Sequence, residues 1–446
     1  MRIIISGAGN VGHYLIKMFS ERNQDVILID PDKEKLQEIS SHFDVMTIQG
    51  SATSFDILKE LEIDKTDLFI AVTNYQDTNI LSCFLAKKMG VKTTVARVND
   101  DDYMQQQNVE LLKNYGVDHL ISPELLITED ILKHLKYPNI FKTLSFEKGK
   151  LDLISLRIKD NNDFHNKTII EISEKFSDIS ARIVAIQRGD ETIIPYGKNK
   201  IYNDDIIYII TDKNGKDKIL NLLGIQKERV KSLMILGGSK IGVNIAKRLE
   251  NDYYIKLFEK SREKSYEISD QLKNTLVLHS EARDATFLKD EGISRTDTFI
   301  AVTDNSEINM LSSMLAKKLG VKKTFAEVEN TDYLDIVRNT DIDYIINKKL
   351  IAAGKIFAIA FEKDIISMSF LIDTDAEILE FVTHTGAKIT GKKLKDTNFP
   401  QFAIIGGIMR DNETLIATGN TQIIENDRVI VFALPDKAEQ LAKWFK

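Results

Sequence analysis

Three glycines near the start of the chain have the spacing of a phosphate-binding loop. Gly7, Gly9 and Gly12 form the pattern G-x-G-x-x-G between the apolar run RIIIS and the stretch VGHYLIKMF. In such a loop the first glycine permits a tight turn, the second admits a phosphate, and the third lets helix and strand pack closely. The free N–H groups and dipole of the following helix favour a pyrophosphate or polyphosphate. The predicted contacts of this loop are Gly7, Ala8, Gly9, Asn10, Val11 and Gly12.

An acidic residue and several polar residues follow the next predicted strands. Asp30 ends the second strand, 18 residues past Gly12. A carboxylate there accepts hydrogen bonds from ribose hydroxyls and repels a 2′-phosphate, which disfavours NADP. The carboxyl ends of parallel strands converge on the ligand. The remaining candidates at these ends are Gly50, Ser51, Thr73, Asn79 and Arg97.

Two of these side chains have a second interpretation, and the single cysteine also has two. Arg97 could pair with a phosphate through its guanidinium, or form an ordinary salt bridge with Asp100 or Asp101. Asn79, at the start of a helical stretch, could instead cap that helix. The single cysteine, Cys83, lies in an amphipathic pattern, which favours a packed small residue over a redox thiol.

The chain repeats itself at an offset of 230 residues. Residues 64–99 and 294–329 are identical at 20 of 36 ungapped positions, so we interpret the halves as a duplication. The second half carries corresponding candidates at Gly237, Ser239, Gly242 and Glu259. It departs from the first at Ser239 and Lys240, at Ser280-Glu281 in place of Gly50-Ser51, and at Glu327 in place of Arg97. A like charge facing a phosphate costs free energy. The second site is therefore expected to bind weakly, to bind a ligand with less phosphate, or to be structural.

The elements that must position these residues alternate along each half. Strands are predicted at 2–6, 25–30, 44–48, 67–73 and 92–98, with helices at 11–21, 33–41, 55–61, 76–89, 102–114 and 122–136. This rhythm predicts an α/β fold: two Rossmann-like, doubly wound parallel-sheet domains. Short β-branched runs after each predict a small α+β domain with an antiparallel sheet. The predicted domains are residues 1–121, 140–225, 230–348 and 365–446.

Composition excludes several function classes. The net charge of −7 argues against a nucleic-acid binder, and one cysteine excludes a disulfide framework. The seven histidines have no metal-ligand spacing. No apolar run approaches 18 residues, so direct membrane insertion is not expected. We find no nucleophile elbow, P-loop lysine or second substrate domain, which argues against an enzyme.

With these motifs in hand, the whole chain resembles the RCK (KTN) regulators of potassium transport, in a tandem form with two units per polypeptide. The most specific segments are ISGAGNVG, IQGSATS, FIAVTNYQDTN, AKKMG followed by VKTTVAR, and IVAIQRGDETIIPYG. The resemblance implies that NAD(H), or alternatively ATP or ADP, binds the Rossmann clefts and alters the shape of a ring of RCK units.

The same resemblance implies the partner and the location. The ring would gate an integral membrane potassium translocator of the Trk type, from the cytoplasmic face of the membrane. The expected homo-oligomer is a tetramer with eight RCK units. Two alternatives remain open: a nucleotide-binding regulator of another ion transporter, and an NAD-dependent oxidoreductase. In the small domains, Arg188 and Arg410 are expected to be solvated arginines at hairpin turns.

Overall fold

The computed structural model describes residues 1–446 except 23, 136–141, 147–149, 159–162, 177, 190, 223–229, 281–284, 339, 361–366, 371–375, 412 and 436. The chain forms two compact units, one of residues 1–127 and 348–360, the other of residues 128–347 and 361–446. In the described part of the chain, no helix is long and apolar enough to cross a bilayer.

The first unit contains the first Rossmann domain. Its parallel strands are β1 (Arg2–Ser6), β2 (Asp25–Asp30), β3 (Met46–Gln49), β4 (Leu68–Ala71), β5 (Thr93–Arg97) and β6 (His119–Ile121). They lie in the order β3-β2-β1-β4-β5-β6. The helices between them are α1 (Asn10–Ser20), α2 (Lys33–His42), α3 (Phe55–Glu60), α4 (Gln76–Lys88) and α5 (Gln106–Asn114). The strand order reverses beside β1, which is where ligands bind in such sheets.

Burial explains why these segments form a central sheet. Ile3, Ile4 and Ile5 of β1 are completely buried, as expected for a strand covered on both faces. Helix α14 (Lys348–Ala360) also belongs to this unit and packs on α1, with the Phe19 and Phe357 rings stacked 5.5 Å apart. Helix α6 (Pro123–Leu135) begins in this unit and continues into the second.

The second unit contains the second Rossmann domain, with the equivalent strand order β14-β13-β12-β15-β16-β17. The strands are β12 (Ser232–Leu236), β13 (Tyr254–Glu259), β14 (Thr275–His279), β15 (Thr298–Ala301), β16 (Lys323–Glu327) and β17 (Tyr344–Ile346). The helices are α9 (Lys240–Leu249), α10 (Arg262–Gln271), α11 (Ala285–Asp290), α12 (Ser306–Lys318) and α13 (Leu334–Arg338). The duplication seen in the sequence is therefore a duplication of topology.

Two small domains with antiparallel sheets complete the second unit. The first contains β7 (Lys142–Phe146), β8 (Leu151–Arg157), α7 (Ile169–Lys175), β9 (Ala181–Arg188), β10 (Glu191–Ile193), β11 (Ile206–Asp212) and α8 (Lys213–Leu222). The second contains β18 (Ser367–Phe370), β19 (Glu377–Val382), β20 (Ala403–Arg410), β21 (Glu413–Ile416), β22 (Arg428–Ala433) and α15 (Ala438–Phe445). Their strand orders are β10-β9-β11-β8-β7 and β18-β19-β22-β20-β21. The predicted fold class is confirmed.

Among the described residues of the Rossmann domains, the structure differs from the predicted elements in the helix after β5 and in the sixth strands. The helix predicted at 102–114 is a short 3₁₀ turn, Asp101–Met104, followed by α5, because Gln105 has the extended backbone of a helix N-cap (φ −66°, ψ 137°). The sixth strands, β6 and β17, were not predicted, since three-residue strands are too short to show a periodicity.

Candidate functional site

The glycine-rich loop of the first Rossmann domain connects β1 to α1. Gly7 has φ +111°, and a Cβ there would lie 2.9 Å from the Thr73 backbone nitrogen. A Cβ on Gly12 would lie 1.9 Å from the Gly7 carbonyl oxygen. Gly9, the N-cap of α1, differs: among the described residues, no atom lies within 4 Å of a Cβ built there, and no side chain caps the helix. The first and third glycines are thus required by packing, whereas the second leaves the helix N-terminus open.

Asp30 lies at the end of β2, beside this loop. Its Oδ2 accepts a hydrogen bond from the Ala8 backbone N–H at 2.6 Å, and its Oδ1 accepts one from Asp32 N–H at 2.9 Å. The side chain is largely buried, so its orientation is fixed before any ligand arrives. A carboxylate oxygen has more than one lone pair, which leaves acceptor capacity for ribose hydroxyls. The remaining loop residues, Asn10 and Val11, begin α1, the former exposed and the latter buried.

Asn79 is buried, and both the oxygen and the nitrogen of its side-chain amide form hydrogen bonds within the protein. Its Oδ1 accepts from Thr73 N–H at 3.0 Å and from Thr73 Oγ1 at 2.7 Å. Its Nδ2 donates to the carbonyls of Thr73 and Arg97 at 3.0 and 2.9 Å. An amide has two donor hydrogens and two acceptor lone pairs, so this network uses all of them. Asn79 therefore positions the ends of β4 and β5, and it does not cap α4, whose N-cap is Tyr75.

Arg97, at the end of β5, forms an ion pair with Glu124, a partner that the sequence did not predict. Its Nη2 lies 3.6 Å from Glu124 Oε1, in the first turn of α6, rather than beside Asp100 or Asp101. In the described part of the chain, the buried Nε of Arg97 has no hydrogen-bond partner. A guanidinium has five N–H donors. Arg97 consequently keeps donor capacity for an anion near the carboxyl ends of the strands.

Gly50 and Ser51 follow β3, on the other side of β1. Gly50 has φ +155°, and a Cβ there would lie 2.3 Å from the Ile57 Cδ1 atom. Its N–H donates to the Asp30 carbonyl at 3.0 Å, which places this turn against the end of β2. Ser51 is exposed, with its hydroxyl 2.8 Å from that of Thr53.

The second Rossmann domain keeps the turn and the acid but closes the helix N-terminus. A Cβ on Gly242 would lie 2.2 Å from the Gly237 carbonyl oxygen, and Gly237 has φ +109°. Glu259 accepts from Gly238 N–H at 3.0 Å and from Ser261 N–H at 2.8 Å, as Asp30 does in the first domain. The Ser239 hydroxyl, however, accepts a hydrogen bond from Gly242 N–H and caps α9. A side-chain oxygen now lies where the first domain leaves open space.

Charged residues also lie across the second cleft. Lys260 Nζ, after β13, is 3.2 Å from Asp304 Oδ1, after β15. Lys264 Nζ is 3.6 Å from Glu259 Oε2. The cavity that remains has a volume of about 120 Å³, below the ~300–1,000 Å³ that is usual for ligand pockets. Glu281 of the sequence analysis lies outside the described residues.

Arg188 and Arg410 are not the solvated turn arginines that the sequence suggested. Arg188 donates to both carboxylate oxygens of Asp205, at 2.9 and 2.8 Å. Arg410 donates in the same way to both carboxylate oxygens of Asp427, each at 2.8 Å. Both aspartates are almost completely buried. This pairing raises the pKa of each arginine. A buried carboxylate requires such a partner, so these arginines hold their sheets together.

A larger cavity, of about 670 Å³, lies where the two small domains meet. Arg182 lines it and donates through Nη1 to the carbonyls of Ile405 and Ala417 at 2.9 and 2.6 Å. Burial lowers the pKa of Arg182 to about 10. The guanidinium therefore links the two small domains through backbone acceptors.

Comparison with known proteins agrees with this architecture. The model of the TrkA-N domain family matches residues 3–123 and 233–348, and that of the TrkA-C domain family matches residues 153–224 and 378–446. The chain is similar to the Trk system potassium uptake protein TrkA of Vibrio alginolyticus, with 31% identity over 98% of this chain and 96% of that protein. It is also similar to the Trk system potassium uptake protein TrkA homolog 1 of Methanosarcina mazei, with 30% identity over the full length of both.

Solved structures show the same fold. The chain superposes on the crystal structure of the GsuK RCK domain with a TM-score of 0.63 and 16% identity, covering 100% of this chain and 94% of that one. The GsuK channel bound to NAD gives the same TM-score and identity and is covered over 78% of its length. The resemblance to RCK regulators is confirmed, and the relatives are potassium uptake proteins, in agreement with the expectation that the chain is not an enzyme.

Proposed function

Because the chain belongs to the family of proteins with tandem TrkA-N and TrkA-C domains, we propose that it is a regulatory subunit of a membrane potassium uptake translocator. In this proposal the first Rossmann domain senses an adenine nucleotide, and nucleotide binding changes the shape of the assembly that gates the pore. A ligand can shift such an equilibrium only by its differential affinity for the two shapes.

The observation that carries the nucleotide proposal is the open N-terminus of α1. Gly9 leaves space at the first turn of the helix, where unpaired N–H groups and the dipole attract phosphate. Asp30 is held beside it by Ala8 and Asp32, in the position that recognises ribose hydroxyls. Arg97 lies at the end of β5, two strands away from β1, and supplies a guanidinium whose Nε has no hydrogen-bond partner among the described residues. Adenosine joined to a pyrophosphate satisfies all three features.

We propose NAD(H) as the ligand, with ATP or ADP as the alternatives, because all share the adenosine and pyrophosphate groups. The channel with a similar fold has been solved bound to NAD. In the second Rossmann domain, Ser239, which caps α9, and the Lys260–Asp304 pair line the equivalent cleft. The second cleft is therefore proposed to bind phosphate-bearing ligands weakly.

Calorimetric titration with NADH, NAD, ATP and ADP tests this proposal. We expect about one strong site per chain in the wild type. Asp30→Asn and Arg97→Glu should each weaken binding by about 10- to 100-fold, the value of one or two charge-assisted hydrogen bonds. Gly9→Ser copies the second domain into the first and should weaken binding by about tenfold or more.

The second domain provides matched controls. Glu259→Gln and Ser239→Gly are the same kinds of change in the equivalent loop, and neither should weaken the strong site. Two equal sites in the wild type, or a loss of binding in Glu259→Gln but not in Asp30→Asn, would contradict the assignment. Thermal unfolding of each variant establishes that the fold is retained.

The partner and the assembly are proposed on the same basis. The relatives are Trk system potassium uptake proteins, and we propose an integral membrane potassium translocator as the partner, bound from the cytoplasmic face. A tetramer would contain eight RCK units. Co-purification with the translocator, and a change in its potassium flux on nucleotide addition that Asp30→Asn abolishes, would support the proposal. Turnover of NADH with a substrate would instead indicate an oxidoreductase.

A further inference from the structure

One lysine of the second Rossmann domain is completely buried beneath the end of helix α6. Lys323, on β16, has 0% of its surface exposed. Its Nζ donates a hydrogen bond at 3.0 Å to the carbonyl of His134, in the last turn of α6. The same nitrogen also lies 5.5 Å from the centre of the Phe325 ring. The last carbonyls of a helix lack partners within the helix, so Lys323 caps the C-terminus of α6 as a hydrogen-bond donor, which the neutral amine can also be.

Two aromatic contacts hold the same end of α6 on the second Rossmann domain. The rings of His134 and Tyr344 lie 4.2 Å apart, and the Tyr344 hydroxyl donates to a carboxylate oxygen of Asp130. Tyr344 also packs on Phe325, with ring centres 5.4 Å apart. We call Lys323, Phe325 and Tyr344 the α6 seat. Helix α6 is the segment of chain that leads from the first Rossmann domain to the first small domain.

Among the described residues, charged and titratable groups near Lys323 lie on the second Rossmann domain, the first small domain and α6. From the second Rossmann domain, Asp343 faces it but is bound to Lys317 at 2.6 and 2.7 Å. From the first small domain, Lys216 faces it and is bound to the buried Asp152 at 3.1 Å.

From α6 itself come His134 and Asp130, whose Nδ1 and Oδ1 atoms are 3.8 Å apart, while β17 contributes the Tyr344 hydroxyl. Burial is the largest effect on the pKa of Lys323, and it lowers that pKa from 10.5 to about 7. The attraction of Asp343 is smaller, and Lys317 and Lys216 act in the same direction as burial. The first Rossmann domain has Thr93 at the equivalent position.

We propose that the α6 seat responds to pH: proton uptake by Lys323 weakens the docking of the last turns of α6 on the second Rossmann domain. An ammonium in a water-poor site is unfavourable, whereas the same group in water is solvated. Undocking exposes Lys323 and restores its affinity for a proton. Docking is therefore coupled to proton release, independently of any nucleotide.

The direction follows from proton linkage. Between pH 7 and pH 10.5 the undocked lysine is protonated and the docked lysine is neutral, so docking weakens as pH falls through this window. Below the docked pKa both forms are protonated and the effect levels off. With these two pKa values, the opening equilibrium rises roughly fifty-fold between pH 9 and pH 7. Most of the remaining change is complete by pH 6.

Hydrogen exchange of the full chain tests the proposal. The protection of the amides of residues 130–135, corrected for the intrinsic exchange rate, is measured at pH 6, 7, 8 and 9. The wild type should lose protection as pH falls and reach a plateau near pH 6. Lys323→Met fills a similar volume without a titrating group and should make the protection independent of pH. His134→Gln removes the imidazole of α6 that packs against the seat and should leave the response in place.

A second measurement keeps the test independent of the variants. In protein labelled with ¹³C at the lysine ε-carbon, the resonance that Lys323→Met removes should titrate near pH 7. Titration near pH 10 would overturn the proposal, as would protection that is flat from pH 6 to 9. A response that survives in Lys323→Met but disappears in His134→Gln would assign it to the histidine instead.

Discussion

Cys83 and Ser313 occupy equivalent positions in the two Rossmann domains and form the same hydrogen bond. Cys83 Sγ donates to the Val95 carbonyl at 3.3 Å, and Ser313 Oγ donates to the Phe325 carbonyl at 3.1 Å. Both side chains are completely buried. Burial raises the pKa of the Cys83 thiol well above its ordinary value, so the thiolate is scarce at physiological pH. The residue acts as a small packed side chain, as the sequence pattern predicted, and it also donates a hydrogen bond.

At this scale we predict that the thiol is inert in the folded protein. Ellman's reagent at pH 8 should detect no rapidly reacting thiol in the native state and one per chain in guanidinium chloride. Cys83→Ser should change the free energy of unfolding by about 1 kcal/mol or less, because serine already makes this bond in the second domain. Prompt reaction of the native protein would show that the site opens readily.

Individual side chains also join neighbouring elements, and here the two domains are almost identical. Asn309 repeats the network of Asn79: it accepts from Thr303 N–H and Oγ1 at 3.0 and 2.7 Å, and it donates to the carbonyls of Thr303 and Glu327 at 3.0 and 2.9 Å. Each network fixes the loop after one strand to the end of the next. The amides are therefore part of the scaffold in both clefts, including the one we propose to bind weakly.

We predict that the loss of either amide lowers the free energy of unfolding by the same amount, whereas only the loss of Asn79 weakens nucleotide binding. Asn79→Ala and Asn309→Ala each leave buried backbone groups without partners, which should lower the free energy of unfolding by about 2–4 kcal/mol in urea denaturation. Nucleotide affinity, measured by titration on the folded variants, should fall in Asn79→Ala and stay unchanged in Asn309→Ala. An equal fall in both would mean that the second cleft contributes to the strong site.

Over the whole molecule, the two small domains form one hydrophobic core. Leu151, Val184 and Ile210 of the first lie in the same buried cluster as Ile378 and Phe432 of the second. Gly406 makes this approach possible, since a Cβ there would lie 2.7 Å from Phe432 and 3.1 Å from Val184. Val184 is the residue that corresponds to Gly406 in the first small domain, so the second copy has no side chain at this position, where the two domains meet. The duplication has thus produced a joined pair rather than two independent modules.

We therefore predict that a core substitution in the second small domain also destabilises the first. Phe432→Ala should lower stability by about 3–5 kcal/mol and reduce the hydrogen-exchange protection of β9 and β11 as well as that of β20 and β22. Phe164→Ala is a matched control, because Phe164 lies in a separate core cluster made of first-domain residues. Its loss of protection should be greatest in the first small domain. Protection that is lost in the second domain alone after Phe432→Ala would contradict a shared core.

The amino-acid sequence by itself determined the duplication, the fold class and the glycine-rich loops. These features are encoded within 10 to 20 neighbouring residues: the alternation of apolar strands with amphipathic helices, and the glycines whose backbone geometry no other residue reproduces. The same local information predicted Asp30 at the end of β2. The family resemblance rested on such short segments as well.

Only the tertiary structure decided which groups meet over long separations. Arg97 lies against Glu124 rather than its sequence neighbours, and Lys323 bonds to His134 from 189 residues away. A side chain's partner and its burial depend on how distant elements pack, and no local pattern carries that information. The pKa of Lys323 is therefore a property of the folded chain alone, because the cost of burying its charge exists only once α6 lies over it.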